Sequence, residues 1–416
     1  MARFETALAR VSAPAEHAAA IAEVCAHARF DTRALAEQAR RAGTLAIPFV
    51  RELTALVSAR SADAARYVHF GATSQDVTDT AVVLCLKEAT QRVLALTRRL
   101  GNAAAKLADE HRDTPTVART LLQPATPVPF GWKAAVWLSL VSRAYGQFKR
   151  VSEEMSVLQF GGAAGTLAAF AGKGDEIGRR LAAELHLKLP EMPWHSARDG
   201  FARLGAEAAI LAGAAGKIAR DIALLMQPEI GEAFEPAGEG RGGSSALPHK
   251  RNPAASLLAL EAAQRAPGLA ATLLVNLTPE HERGLGQWQG QWLTLRALLC
   301  ATASGVDAMA ETLEGLEVRT QAMRANLERT QGLVFSEALS LRLAQTLGKP
   351  AAHALTEKLC ARAVQERKHL REVVRADEEI AKHVPDVEEL FDANNAFGSA
   401  QSMIERVLAT WRRTAP

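Results

Sequence analysis

The densest concentration of reactive residue types is Gly238-Glu-Gly-Arg-Gly-Gly-Ser-Ser-Ala-Leu-Pro-His-Lys-Arg-Asn-Pro253. Four of its first six residues are glycine, so the backbone can turn sharply and approach a ligand closely. Two serines (Ser244, Ser245), a lysine (Lys250) and an asparagine (Asn252) follow. Successive N–H groups next to an ammonium and an amide suit an anion. The same composition also describes a solvated flexible loop, and the residues alone leave both readings open. His249 lies inside this stretch and reads as a solvated bystander.

Other polar residues invite weighing. Glu280-His-Glu-Arg283 lacks the i, i+4 spacing of a helical metal motif and reads as an ion-paired helix start or a ligand contact. Trp288 and Trp292 share a helix face and suit either core packing or a pocket wall. Arg198-Asp199 is open between a carboxylate binder and a surface pair. The cysteines, Cys25, Cys85, Cys300 and Cys360, are too far apart for a CxxC metal or redox motif and read as reduced, mostly buried thiols.

The elements that must hold these residues read as helices. No proline occurs from Glu52 to Asp113, and Val82, Leu86, Val93, Leu96 and Leu100 keep one apolar face. Similar stretches run from Trp194 to Met226 and from Trp288 to Leu333. Convincing period-2 segments are rare and aromatics make up 5% of the chain, which disfavours strands. The expectation is an all-α protein with several helices of 25 residues or more, some 40 Å long at about 1.5 Å per residue. Ala208 to Gly216 carries no charge and reads as a helix buried on every side, inside one subunit or between subunits. Breaks near 112 and 330 divide the chain into 1–112, 113–330 and 331–416.

Of 416 residues, 49 are Lys or Arg and 46 are Asp or Glu, giving a net charge of +3. That balance gives no support to nucleic-acid binding, which needs a concentrated basic face. With 48% hydrophobic residues the chain is neither disordered nor unusual for a globule. The N-terminal residues lack the apolar core of a signal peptide, and no apolar run approaches the roughly 20 residues that span a bilayer. A cytoplasmic location is expected.

Gly243-Ser244-Ser245-x-Leu247-Pro248-x-Lys250-x-Asn252-Pro253 resembles the GSSxMPxKxNP signature of the fumarase/aspartase superfamily, with Leu247 in place of methionine. Val68-His-Phe-Gly-Ala-Thr-Ser-Gln-Asp76 and Arg119-Thr-Leu-Leu-Gln123 are similar to its first and second characteristic regions, in the same order. The resemblance implies three mainly helical domains, a central bundle of long helices, and a homotetramer whose active sites are each built by three subunits. It implies β-elimination chemistry, or the reverse, beside a substrate carboxylate, with no metal or organic cofactor. By motif position Ser244 is the mobile catalytic serine, and Lys250 and Asn252 bind the carboxylate and its enediolate. Substrate contacts are implied for His69, Thr73, Ser74, Gln75, Arg119, Thr120, Gln123, Ser245 and Arg283. Superfamily members usually carry about 30 further residues ahead of the segment matching Phe4 to Ala9, so a shortened first domain is expected.

The departures from the pattern narrow the chemistry. Many relatives place a histidine and a glutamate where this chain has Leu121 and Leu257. That pair moves a proton on the departing heteroatom, which an amine or hydroxide needs and a carboxylate does not, because its conjugate acid has a pKa of about 4. Leucine at both positions predicts a carboxylate leaving group or nucleophile, as in lactone formation. The segment Glu280 to Trp292 ends in WQGQW, where adenylosuccinate lyases carry SSxER. Together with Leu189 to His195, it is similar to the bacterial cycloisomerase branch of the superfamily. An adenylosuccinate lyase-like enzyme and a non-catalytic scaffold are the alternatives.

Overall fold

A computed structural model describes every residue except Glu239, Pro248 and Pro416. Those residues include the signature proline at 248, which therefore lies outside the described residues. The chain is mainly helical. The elements used below are α1 (Ala2–Ser12), α2 (Ser74–Glu110), β1 (Pro115–Thr120), β2 (Gln123–Pro129), α3 (Phe130–Glu154), α4 (Asp199–Leu225), β3 (Ala233–Phe234), α5 (Ala254–Val275), α6 (Gln287–Glu314) and β4 (Glu317–Val318). Four of the helices have at least 25 residues, the longest being α2 with 37. Their proline-free, periodic sequences are the cause, and α5, which carries Pro267 in its interior, is shorter.

Residues group into two compact units. The first comprises Met1–Leu94, Gln147–Ile210 and Arg265–Thr302. Its N-terminal helices enclose Ile21, Phe49, Leu53 and Val57. The second comprises Ala95–Gly146, Leu211–Gln264 and Ala303–Pro416. Beyond residue 331 a core forms around Phe335, Leu339, Leu343, Leu359, Leu370 and Val374, which Val117 and Leu327 join. The β-structure is limited to two short antiparallel pairs, β1 with β2 and β3 with β4.

Within a single chain, α4 is not covered on every side, because Ile210 is 52% exposed and Gly213 is open, which leaves the reading of a helix between subunits. Two expectations need correction. Cys85 and Cys300 are exposed rather than buried. Among the described residues α6 is long and apolar enough to cross a membrane by length and composition, although half of its most apolar window is buried in the protein.

Candidate active site: two polar constellations

In the first unit the N-terminal turn of α2 carries Gln75, Asp76 and Asp79, all fully buried. Residues three and four apart share a helix face, so these side chains leave α2 together. Asp76 accepts four hydrogen bonds: from the Thr73 amide (3.0 Å), the Gly161 amide (3.0 Å), the Gly162 amide (2.9 Å) and His195 Nε2 (2.7 Å). Glycine is required at 161 and 162. A Cβ at 161 would stand 2.8 Å from the His195 ring, and Gly162 has φ +69° with the Gly71 carbonyl 2.9 Å from where a Cβ would sit.

Asp79 takes a bidentate pair from Arg198 (2.6 and 3.1 Å) and single bonds from Trp288 Nε1 (3.0 Å) and Gln75 Nε2 (3.1 Å). Arg198 also donates to Gln291 Oε1 and lies over the rings of Trp194 and Phe201. A buried carboxylate needs this degree of pairing, because leaving one such charge alone costs several kcal/mol. Arg198 is thus neither a surface residue nor a partner of Asp199, which pairs with Arg203 instead. Trp288 is a core residue, stacked edge-on against Trp292.

Arg283 is the exposed edge of this constellation. It donates to Gln75 Oε1 (3.0 Å), Thr73 Oγ1 (3.3 Å) and the Ala163 carbonyl (3.3 Å). Thr73, Gln75 and Arg283 are therefore brought together, but the Gln75 side chain is buried and engaged within the protein, so it faces Arg283 and not an open surface. The Ser74 hydroxyl makes no hydrogen bond among the described residues. His69 sits at φ +58° with its amide and Nδ1 both on the buried carboxylate of Glu5 from α1 (3.0 and 2.7 Å).

In the second unit β1 and β2 form a hairpin in which Thr120 pairs with Gln123. The two-residue turn is Leu121-Leu122, both in the left-handed region (φ +50° and +66°), where Asn-Gly is the usual choice. Leu121 is 96% exposed, and Leu257, on the first turn of α5, is 60% exposed. Within one chain, therefore, neither leucine is enclosed. Arg119 is committed to Glu232 (2.6 and 3.0 Å), whose buried carboxylate also accepts from Thr116 and Asn326. Beside the hairpin is a cavity of about 490 Å³ lined by Arg119, Thr120, Trp132, Lys133, Trp137 and Lys217. Burial pushes the Lys133 ammonium below its ordinary pKa, against the opposing pull of Glu232.

The glycine-rich loop keeps Ser244 and Asn252 half-buried and Lys250 in solvent. Ser244 Oγ accepts from the Leu247 amide (3.1 Å), and Asn252 Nδ2 donates to the Gly243 carbonyl (3.2 Å). Ser245, His249 and Lys250 are exposed. The base of the loop is firm. Glu235 accepts the first free amides of α5, at Ala255 (3.0 Å) and Ser256 (2.8 Å), where the helix dipole favours a carboxylate. Arg251 donates to the Glu235 carbonyl (2.6 Å), pairs with Glu317 and lies over Phe234. Glu232, Glu235, Asp79 and Gln291 are supports that the sequence reading did not single out.

A profile described as Lyase matches residues 1–268, nearly two thirds of the chain. The chain belongs to this lyase family. A second profile, the adenylosuccinate lyase C-terminus, matches residues 332–407. A 3-carboxy-cis,cis-muconate cycloisomerase of Bradyrhizobium diazoefficiens is 49% identical over 99% of this chain and 92% of that protein. A nitrosuccinate lyase of Streptomyces davaonensis is 39% identical over 100% of this chain and 91% of its own length. Among solved lyase structures, the 3-carboxy-cis,cis-muconate lactonizing enzyme of Pseudomonas putida superposes with a TM-score of 0.94 at 41% identity, covering 100% of this chain and 94% of that one. The all-α expectation and the superfamily resemblance hold, and the substrate class is a small carboxylate.

Proposed function

We propose that the chain is a cycloisomerase that closes 3-carboxy-cis,cis-muconate to 4-carboxymuconolactone in protocatechuate degradation. An oxygen of the substrate's own carboxylate adds to the conjugated double bond. The π electrons move onto the adjoining carboxylate as an enediolate, and a proton is delivered to the carbon α to it. One C–O bond and one C–H bond form, and nothing leaves. Ser244 carries that proton, and Lys250 with Asn252 stabilises the enediolate, since donors aimed at developing charge are usually the largest catalytic contribution. Arg283 with Thr73 receives a substrate carboxylate, and His69, Ser74, Thr120, Gln123 and Ser245 complete the contacts.

The observation that carries this reading is leucine at both 121 and 257 beside an intact Ser244, Lys250 and Asn252. The chain keeps the groups for the enediolate and lacks the pair for a heteroatom that needs a proton. The relatives named for this reaction support it. Exposed Leu121, Leu257, Leu258, Leu285 and Leu293 support a homotetramer with sites shared between subunits. The setting is cytoplasmic, without nucleic-acid or membrane partners. Ultraviolet spectra of purified protein with 3-carboxymuconate and with adenylosuccinate test the assignment. Loss of the diene absorbance, with adenylosuccinate unchanged, is expected; cleavage of adenylosuccinate alone overturns it.

A further inference from the structure

Arg283 is a cation held only by neutral oxygens, and it forms no ion pair among the described residues. Each of its three acceptors is fixed from behind by a buried aspartate. Asp76 binds the Thr73 amide, which sets the residue bearing Thr73 Oγ1. It also binds the amides of Gly161 and Gly162, which set the backbone leading into the Ala163 carbonyl. Asp79 binds Gln75 Nε2, and the same nitrogen donates to the His195 carbonyl (2.9 Å). With its NH2 group facing two acceptors, the Gln75 amide can turn only its oxygen to Arg283.

The charges explain why a neutral amide stands between. Asp79 is balanced by Arg198 and so has no remaining charge to give. A carboxylate in direct contact with Arg283 would neutralise it before any ligand arrived. An amide fixes direction and leaves the charge in place.

We propose that Gln75, itself set by Asp79 and assisted by Asp76 through Thr73 and Gly162, is a positioning residue that presents an un-neutralised Arg283 guanidinium to a substrate carboxylate. The proposal rests on the reading of Arg283 as a carboxylate binder. It differs from a substrate contact by Gln75, whose side chain is fully buried.

The test is steady-state kinetics with 3-carboxymuconate on Gln75→Met and Arg283→Ala. Gln75→Met keeps the length and removes the amide, so KM rises about tenfold while kcat stays within about twofold. A raised KM in Arg283→Ala with an unchanged KM in Gln75→Met overturns the positioning role alone. An unchanged KM in Arg283→Ala removes the carboxylate-binding reading beneath it. Added guanidinium chloride, against sodium chloride at equal ionic strength, restores turnover of Arg283→Ala by refilling the vacated acceptors. It fails to restore Arg283→Ala/Gln75→Met; equal rescue in both overturns the proposal. If the Gln75 variants do not fold, Arg283→Ala/Thr73→Val makes the comparison on a half-buried side chain, with weaker guanidinium rescue expected and equal rescue contradicting it.

Discussion

Asp76 accepts four hydrogen bonds in a fully buried position, whereas the Lys250 side chain makes none among the described residues and stands in solvent. The constellation around α2 commits its charges to protein partners and leaves a single guanidinium facing outward. The glycine-rich loop fixes its base through Glu235 and Arg251, holds Ser244 only by amides of the loop itself and leaves Lys250 in solvent. Donors preset in a rigid frame need no reorganisation when charge develops, whereas a loop that closes can exclude water and admit substrate. The first region suits binding of a carboxylate that does not react. The second suits the enediolate and the moving proton.

One substitution in each region should therefore have opposite signatures. Asp79→Ala leaves Arg198 buried without its partner and should cost about 3–5 kcal/mol of stability. Ser244→Ala removes a loop hydroxyl and should leave the unfolding midpoint in place while lowering turnover roughly 10²- to 10⁴-fold. Denaturant titration and kinetics on both variants check this. A stable Asp79→Ala protein, or a Ser244→Ala enzyme with near-normal turnover, would break the division of labour.

The hairpin sharpens the comparison at smaller scale. Leu121 and Leu122 hold left-handed backbone conformations that disfavour branched side chains. Replacing both, Leu121→Asn with Leu122→Gly, should raise stability by about 1 kcal/mol through relief of that strain. Calorimetry measures it, and a lowered melting temperature would mean that packing onto a second subunit fixes the leucines.

The smallest effect is expected for Leu121→His with Leu257→Glu. A carboxylate nucleophile needs no general-acid help, so the pair should not speed lactonisation and should slow it modestly. Because both leucines are exposed within one chain, the single variants should also fold. Faster turnover of 3-carboxymuconate by the double variant would remove the chemical reason for preferring a cycloisomerase.

The long helices were legible because proline-free apolar periodicity is a local property. The loop was legible because glycine, serine, lysine and asparagine occur together. What supports Arg283 was not. Asp79 meets Arg198 and Trp288, 119 and 209 residues away, and no spacing along α2 announces either partner. Glu232 and Glu235 are isolated acids in an irregular stretch, and only the folded chain shows one holding Arg119 and the other capping α5. The exposure of Leu121 and Leu257 was not legible either. Sequence shows that a residue is apolar, not whether its own chain or a second subunit covers it.

The division between a preset frame and a closing loop is tested most directly by hydrogen exchange on the intact protein, with and without lactone product. The account predicts that amides from 240 to 250 exchange rapidly in the free protein and slow on binding. The amides of Thr73, Gly161 and Gly162, already bonded to Asp76, should be protected in both states. Unchanged exchange in the loop, or protection at Thr73 and Gly162 that appears only with product, would contradict it.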